Sequence, residues 1–299
     1  LVGSEMCIRD SRKQSERRNP NPFKPRPQKR GFFMEEHSLL GAVLLGLIEG
    51  LTEFLPVSST GHLLILQQLA PSLVGKRSDL FNIAIQSGAV LAVLPLFKER
   101  LQALKDWRKP ASQHLLKAIS IAFLLTVAGG LLIDKAGLRL PDSLTPVALA
   151  LILGGVAFLL IERVLQKTNR PPEITPATAV IAGCGQLLAA IFPGASRSGS
   201  TIMAAMLCGT SRSSATEFSF LIGIPTILAA SAWKILKALR HGALDEPWTQ
   251  LIIAWLVAAI TSFATVKWLL GYVRNHSFAG FGVYRIALGS ILLILALLR

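Results

Sequence analysis

Six stretches of this chain, at about 80–97, 116–133, 144–162, 215–237, 249–271 and 279–298, are each close to twenty residues long and almost wholly apolar. Charged or proline-containing links separate them, at 98–117, 134–142, 163–172 and 234–247 among others. A helix crossing the ~30 Å hydrocarbon core of a bilayer needs about 20 apolar residues. The pattern therefore predicts an all-α integral membrane protein. Composition agrees: only 16% of the 299 residues are charged, against roughly a quarter in soluble domains.

The formal net charge of +14 would suggest a nucleic-acid partner in a soluble chain. Nine of the lysines and arginines precede residue 34, against three acids, in a segment with Pro20, Pro22, Pro25 and Pro27 and no apolar periodicity. That composition predicts a disordered or non-native basic tail over residues 1–33. Met34 is the expected start of a single membrane domain at 34–299, and no nucleic-acid partner is expected. The three cysteines, Cys7, Cys184 and Cys208, show neither CxxC nor Cys/His ligand spacing, so no disulfide framework or zinc site is expected.

Two further apolar regions, about 38–70 and 175–210, carry Pro, Gly and a cluster of Ser, Thr and charge in their middles. Broken backbone at membrane depth is tolerated only inside protein or beside a wet cavity. Each region therefore reads as a re-entrant helix hairpin. The two also match. A shift of 137 residues places Glu49 on Gln186 and Pro56 on Pro193, and after a one-residue insertion Ser58, Ser59, Thr60 and Gly61 fall on Ser196, Arg197, Ser198 and Gly199. Each hairpin precedes three spans, an odd number, so the second copy enters from the opposite face. This predicts an inverted-topology repeat with halves at about 38–165 and 175–298, and a site near the midplane where the breaks meet. Outside the tail, the side reached after the first, third and fifth spans carries twelve Lys/Arg and the other eight. The positive-inside rule assigns the first to the cytoplasm.

The chemistry concentrates in two motifs. In the segment 49–62, Glu49 and Glu53 are four apart and share a helix face. Carboxylates inside a membrane call for cations, a metal or water, so the pair can hold a divalent cation or supply a general base. Pro56 stops that helix. Ser58, Ser59 or Thr60 can cap the next, and a hydroxyl near His62 or a glutamate is the minimum for an activated nucleophile. In the segment 193–201, Gly194, Ser196, Ser198 and Thr201 surround Arg197. Small residues admit close backbone approach, helix-start N–H groups point at an anion, and the guanidinium fork suits phosphate oxygens. Gln86 is a candidate cavity-lining residue. Glu217 either lines the cavity or pairs with Arg212.

With these residues in view, the chain resembles the undecaprenyl-diphosphate phosphatase family, membrane enzymes linked to bacitracin resistance. The likeness covers essentially all of 34–299. It implies hydrolysis of the lipid diphosphate to the monophosphate, dependence on a divalent cation (Mg²⁺ or Ca²⁺), a polyprenyl diphosphate substrate, and a location in the bacterial plasma (inner) membrane with the site open to the outer, periplasmic face. Glu49, Glu53, Ser59, His62 and Arg197 match the family's functional positions; Ser58, Ser196 and Thr201 match its supporting ones. A homodimer stays open.

The expected mechanism has Arg197 and the amides at 196–200 hold the diphosphate, a cation bridge phosphate and the Glu49/Glu53 carboxylates, and Ser59 attack the terminal phosphorus with His62 or Glu53 taking its proton. Direct attack by water is the chemical alternative. The rival from another class is a secondary transporter or lipid flippase, since inverted repeats and broken helices are its architecture too. The acid-phosphatase-like lipid phosphatases are set aside, because His37, His114, His241 and His276 do not stand in the Arg…His…Asp setting that class requires.

Overall fold

In lipid every backbone N–H and C=O must be bonded internally, so an apolar run that enters a bilayer becomes a helix. The computed structural model describes residues 33–75, 78–106, 108–138, 140, 143–165, 173–240 and 247–298. The tail expected at 1–33, Phe33 apart, lies outside the described residues, as do Lys76, Arg77, Arg139, Lys167, Arg170 and Arg299 of the charge count. No strand occurs among the described residues.

The helices are α1 (Phe33–Thr52), α2 (Ser59–Leu69), α3 (Pro71–Val74), α4 (Asp79–Val93), α5 (Lys98–Lys105), α6 (Pro110–Ala136), α7 (Leu144–Leu165), α8 (Pro176–Ile191), α9 (Arg197–Leu207), α10 (Arg212–Arg240), α11 (Trp248–Asn275) and α12 (Ala279–Leu297). A 3₁₀ turn at Leu94–Phe97, with Pro95 in its first positions, joins α4 to α5. Six of these stretches are long and apolar enough to cross a membrane: Leu80–Lys105 and helices α6, α7, α10, α11 and α12. At 1.5 Å per residue, the shortest, the 19-residue α12, is about 28 Å long, matching the hydrocarbon core. The protein is thus a multi-pass, all-helical membrane protein.

Its outside is apolar. Leu124 is 64% exposed, Leu153 68% and Ile260 72%; in water such a surface would aggregate, and in a bilayer it faces acyl chains. Polar side chains are inside instead, among them Glu49, Gln186, Ser198, Thr201 and Arg285.

Lipid supplies no hydrophobic drive between helices, so small residues let them approach. Helix α12 packs along α7, where Gly155 and Gly282 meet and a Cβ on either would press into the other's carbonyl. Helix α11 packs on α4 and, through Gly46 and Gly50, against α1. Helix α8 packs on α6 and α9, and α10 on α4, α6 and α9.

The apolar part of α1, Leu39–Thr52, and helix α8, Pro176–Ile191, are shorter than a membrane span. Pro56 follows α1, and five residues separate α8 from α9. The described residues hold two non-glycine residues with positive φ: Ser58 (φ 74) and Ser196 (φ 69). Each is the N-cap of the next helix, with its hydroxyl accepting from the amide three residues on, Gly61 N and Gly199 N respectively. Such backbone costs on the order of 1–3 kcal/mol per residue and collects at functional sites.

Candidate active site

The two breaks abut. The Ser198 hydroxyl, in the first turn of α9, donates to the Leu55 carbonyl of the first break at 2.9 Å. The bare carbonyls of both breaks find a common donor in Arg285, on the opposite helix α12 and fully buried. Its guanidinium donates to Pro56 O at 3.1 Å, Gly194 O at 3.2 Å, Ala195 O at 3.0 Å and Ala150 O at 3.1 Å. Unpaired carbonyls in a dry interior are costly, and one side chain bonds three of those that the breaks release. Glycine at 154 is required here, because a Cβ would overlap the guanidinium.

At this junction lies a cavity of about 240 Å³, lined by Glu53, Ser58, Ser59 and Thr60 around the first break, by Gln86 of α4, and by Gly194, Ser196 and Arg197 around the second break. Its other wall is Thr126, Gln186, Ala189, Ala190, Thr226 and Ile227. Glu53 is the hub. Its Oε1 accepts from Arg197 Nη2 at 3.2 Å, and its Oε2 accepts from the Ser59 hydroxyl at 2.8 Å. The carboxylate of the first break thus pairs with the guanidinium of the second, and both are mostly buried. A charge pair taken out of water is worth keeping only with good geometry and further hydrogen bonds, which Ser59 supplies.

Arg197 is held from several sides. It lies 5.6 Å from the Phe54 ring centroid, a cation–π arrangement, and Nη1 approaches Ser219 O at 3.4 Å. Gly223 on α10 makes room, since a Cβ there would overlap the guanidinium. Phe54 itself packs edge-on against Phe220, centroids 5.0 Å apart. Glu49 sits one turn behind Glu53, fully buried, with Glu53 and Gln86 as polar neighbours. Neither of its carboxylate oxygens has a hydrogen-bond partner among the described residues.

The structure separates other candidates from the cavity. His62 points elsewhere: Nδ1 lies 2.7 Å from the Ser58 carbonyl and Nε2 2.6 Å from the Tyr284 hydroxyl, and the ring stacks on Tyr284. A carbonyl only accepts, so Nδ1 carries the proton and Nε2 accepts from the tyrosine. Of the two bases considered for Ser59, Glu53 is the one in hydrogen-bond contact. Ser198 is fully buried and spent on Leu55 O. Thr201 is equally buried, bonded to the Arg197 and Ser198 carbonyls and to the Ser219 hydroxyl. Neither lines the cavity, and both tie α9 in place rather than facing a substrate. Glu217 does not line it either; it pairs with Arg100 at 2.9 Å, while Arg212 pairs with the buried Glu162, which also accepts from Phe278 N.

Arg285 and Gln186 lie outside the two motifs of 49–62 and 193–201. A lone arginine within an apolar span is itself a signal of function, and Gln186 occupies the position that the internal match pairs with Glu49.

The chain is similar to known proteins over most of its length. The family model described as Bacitracin resistance protein BacA matches residues 42–291, spanning both breaks and Arg285. An undecaprenyl-diphosphatase of Rhizobium johnstonii is 49% identical over 259 residues, covering 85% of this chain and 96% of the relative. An undecaprenyl-diphosphatase of Xylella fastidiosa (strain 9a5c) is 47% identical over 258 residues, covering 85% and 97%.

Proposed function

Because the chain belongs to the bacitracin resistance protein BacA family, we propose that it is an undecaprenyl-diphosphate phosphatase. It hydrolyses undecaprenyl diphosphate to undecaprenyl phosphate and inorganic phosphate, and so recycles the lipid carrier of cell-wall synthesis in the bacterial plasma (inner) membrane. The observation that carries this reading is the Arg197–Glu53–Ser59 chain of contacts inside one cavity. A cavity of about 240 Å³ lies below the roughly 300–1,000 Å³ of drug-sized ligand pockets. It suits a diphosphate head and leaves the polyprenyl tail in the bilayer.

Arg197, with Ser196 and the Gly194 backbone beside it, binds the diphosphate and holds the charge that builds on the terminal phosphoryl group, usually the largest catalytic contribution. Ser59 attacks the terminal phosphorus. The Oγ–P bond forms, the bridging P–O bond breaks, undecaprenyl phosphate leaves, and the Ser59 proton passes to Glu53 Oε2, already 2.8 Å away. Ser58, Thr60 and Gln86 line the head-group space. His62 braces Ser58 and Tyr284 instead of exchanging the proton.

The residues also fit a divalent cation. Glu49 offers two buried oxygens that lack partners, beside Glu53. No cluster of three or more His, Cys, Asp or Glu occurs among the described residues. Two carboxylates completed by substrate phosphate and water are the coordination that Mg²⁺ accepts. When bound, Mg²⁺ or Ca²⁺ supplies charge neutralisation to the phosphate oxygens.

The fold is an inverted repeat with two re-entrant hairpins. Support comes from the matching Ser58 and Ser196 caps and from helix contacts that survive exchange of the halves: α7 with α12, α4 with α10, and α4 with α11 as α10 with α6. The site opens to the periplasmic face.

The test is phosphate release from undecaprenyl diphosphate by purified protein in detergent, where no transport can be measured. We expect release, its abolition by chelator, its return with Mg²⁺ or Ca²⁺, and loss in Ser59→Ala. No release by the unmodified protein would leave the transporter or flippase reading standing; full activity of Ser59→Ala would remove the serine nucleophile.

A further inference from the structure

Gln186 is 3% exposed, yet it lines the cavity. Its amide orientation is fixed by chemistry. The Thr126 hydroxyl donates its one proton to Ala122 O at 2.7 Å, so toward Gln186 it can only accept, and Gln186 Nε2 donates to it at 2.8 Å. Oε1 is therefore the end that remains, a buried acceptor with no partner among the described residues. A buried unsatisfied acceptor in a native protein calls for a reason. The internal match supplies context: 186 and 190 are the counterparts of Glu49 and Glu53, and the second half carries Gln and Ala where the first carries two carboxylates. Ala190, the counterpart of Glu53 in the internal match, lines the cavity too.

Resting on the phosphatase reading above, we infer that Gln186 Oε1 accepts a hydrogen bond from the hydrolytic water and aims it at phosphorus. An uncharged acceptor suits this task, because a carboxylate there would repel the phosphoryl group. Glutamine amides orient attacking water in GTPases by the same chemistry. The water oxygen bonds to the phosphorus of phospho-Ser59 as the P–Oγ bond breaks. Glu53 returns its proton to Ser59 Oγ, one water proton stays on the departing phosphate and the other goes to solvent. Gln186 is a positioning residue: it gains and loses no proton.

The experiment is Gln186→Leu, assayed with undecaprenyl diphosphate in aqueous methanol, with methyl phosphate and inorganic phosphate counted separately. The variant is built to fold, since Thr126 keeps its bond to Ala122 O and an orphaned acceptor disappears. We expect an unchanged or raised melting temperature, KM within about twofold, and kcat lower by about ten- to a hundredfold, the loss that misplacing a reactant brings. We also expect the methyl phosphate to phosphate ratio to rise several-fold, because water alone loses its guide. Thr126→Val, which frees the amide to rotate, should move the ratio the same way and serves if Gln186→Leu does not fold. A kcat near that of the unmodified protein, or a fall with the ratio unchanged in both variants, would overturn the inference. Failure of the unmodified protein to release phosphate would instead strike the phosphatase reading.

Discussion

Replacing Arg285 by methionine tests what holds the two breaks together. The guanidinium bonds Pro56 O, Gly194 O and Ala195 O, none of which has a helical partner in its place. Methionine fills much of the stem volume and bonds none of them. A buried acceptor left unpaired costs about 1–3 kcal/mol, so three would cost roughly 3–9 kcal/mol if all stayed dry. Gly194 lines the cavity, where water can reach its carbonyl, which points to the lower half of that range. At about 2–4 °C per kcal/mol for a chain of this size, about 3–6 kcal/mol should lower the melting temperature in detergent by roughly 6–24 °C. Below the transition, hydrolysis should still drop by about a hundredfold, since the carbonyls that Arg285 gathers set the spacing of Glu53 and Arg197, and a misplacement of ~1 Å is enough for that loss. Lysine, with three donors, should recover part of both. A methionine variant that melts within a degree or two of the parent and turns over at its rate would refute the argument.

His62→Phe keeps a ring against Tyr284 and loses both hydrogen bonds of the imidazole; kcat should stay within about tenfold of the parent, below the 10²–10⁴-fold of a lost general base, and a larger fall in a folded variant would return the proton transfer to the histidine. Gly223→Ala puts a methyl group where the Arg197 guanidinium lies; phosphate release should fall by about tenfold or more through displaced transition-state charge, with little change in melting, and an unaffected rate would mean that Arg197 does not work from this position.

The sequence announced the membrane class because span length and apolarity are local properties, and all six expected spans coincide with long apolar helices. Charge and hydroxyls beside Pro56 and Pro193 have no place in lipid unless they meet something, and the structure buries Glu49 and joins Glu53 to Ser59 and Arg197. Which group each would meet was not legible. Glu53 against His62 as partner of Ser59 depends on side-chain direction across a break, and the spacing of 59 and 62 does not encode the pull of Tyr284, more than two hundred residues away. Ser198 and Thr201 misled because a hydroxyl in a polar motif reads alike whether it faces a cavity or a carbonyl such as Leu55 O. Arg285 stands out in the sequence as an arginine within an apolar span, but its partners are carbonyls, and no counter-charge in the sequence shows what it meets.

The central claim is that Glu53 and Arg197, one from each break, act on the same phosphoryl group as a unit. A double-mutant cycle on kcat/KM, with Glu53→Gln, Arg197→Gln and the pair together, measures this most directly. Groups that act as a unit are strongly non-additive, so the double variant should be little worse than the more damaged single one. Fully additive losses would mean that the two side chains work independently, and the shared active centre would be contradicted.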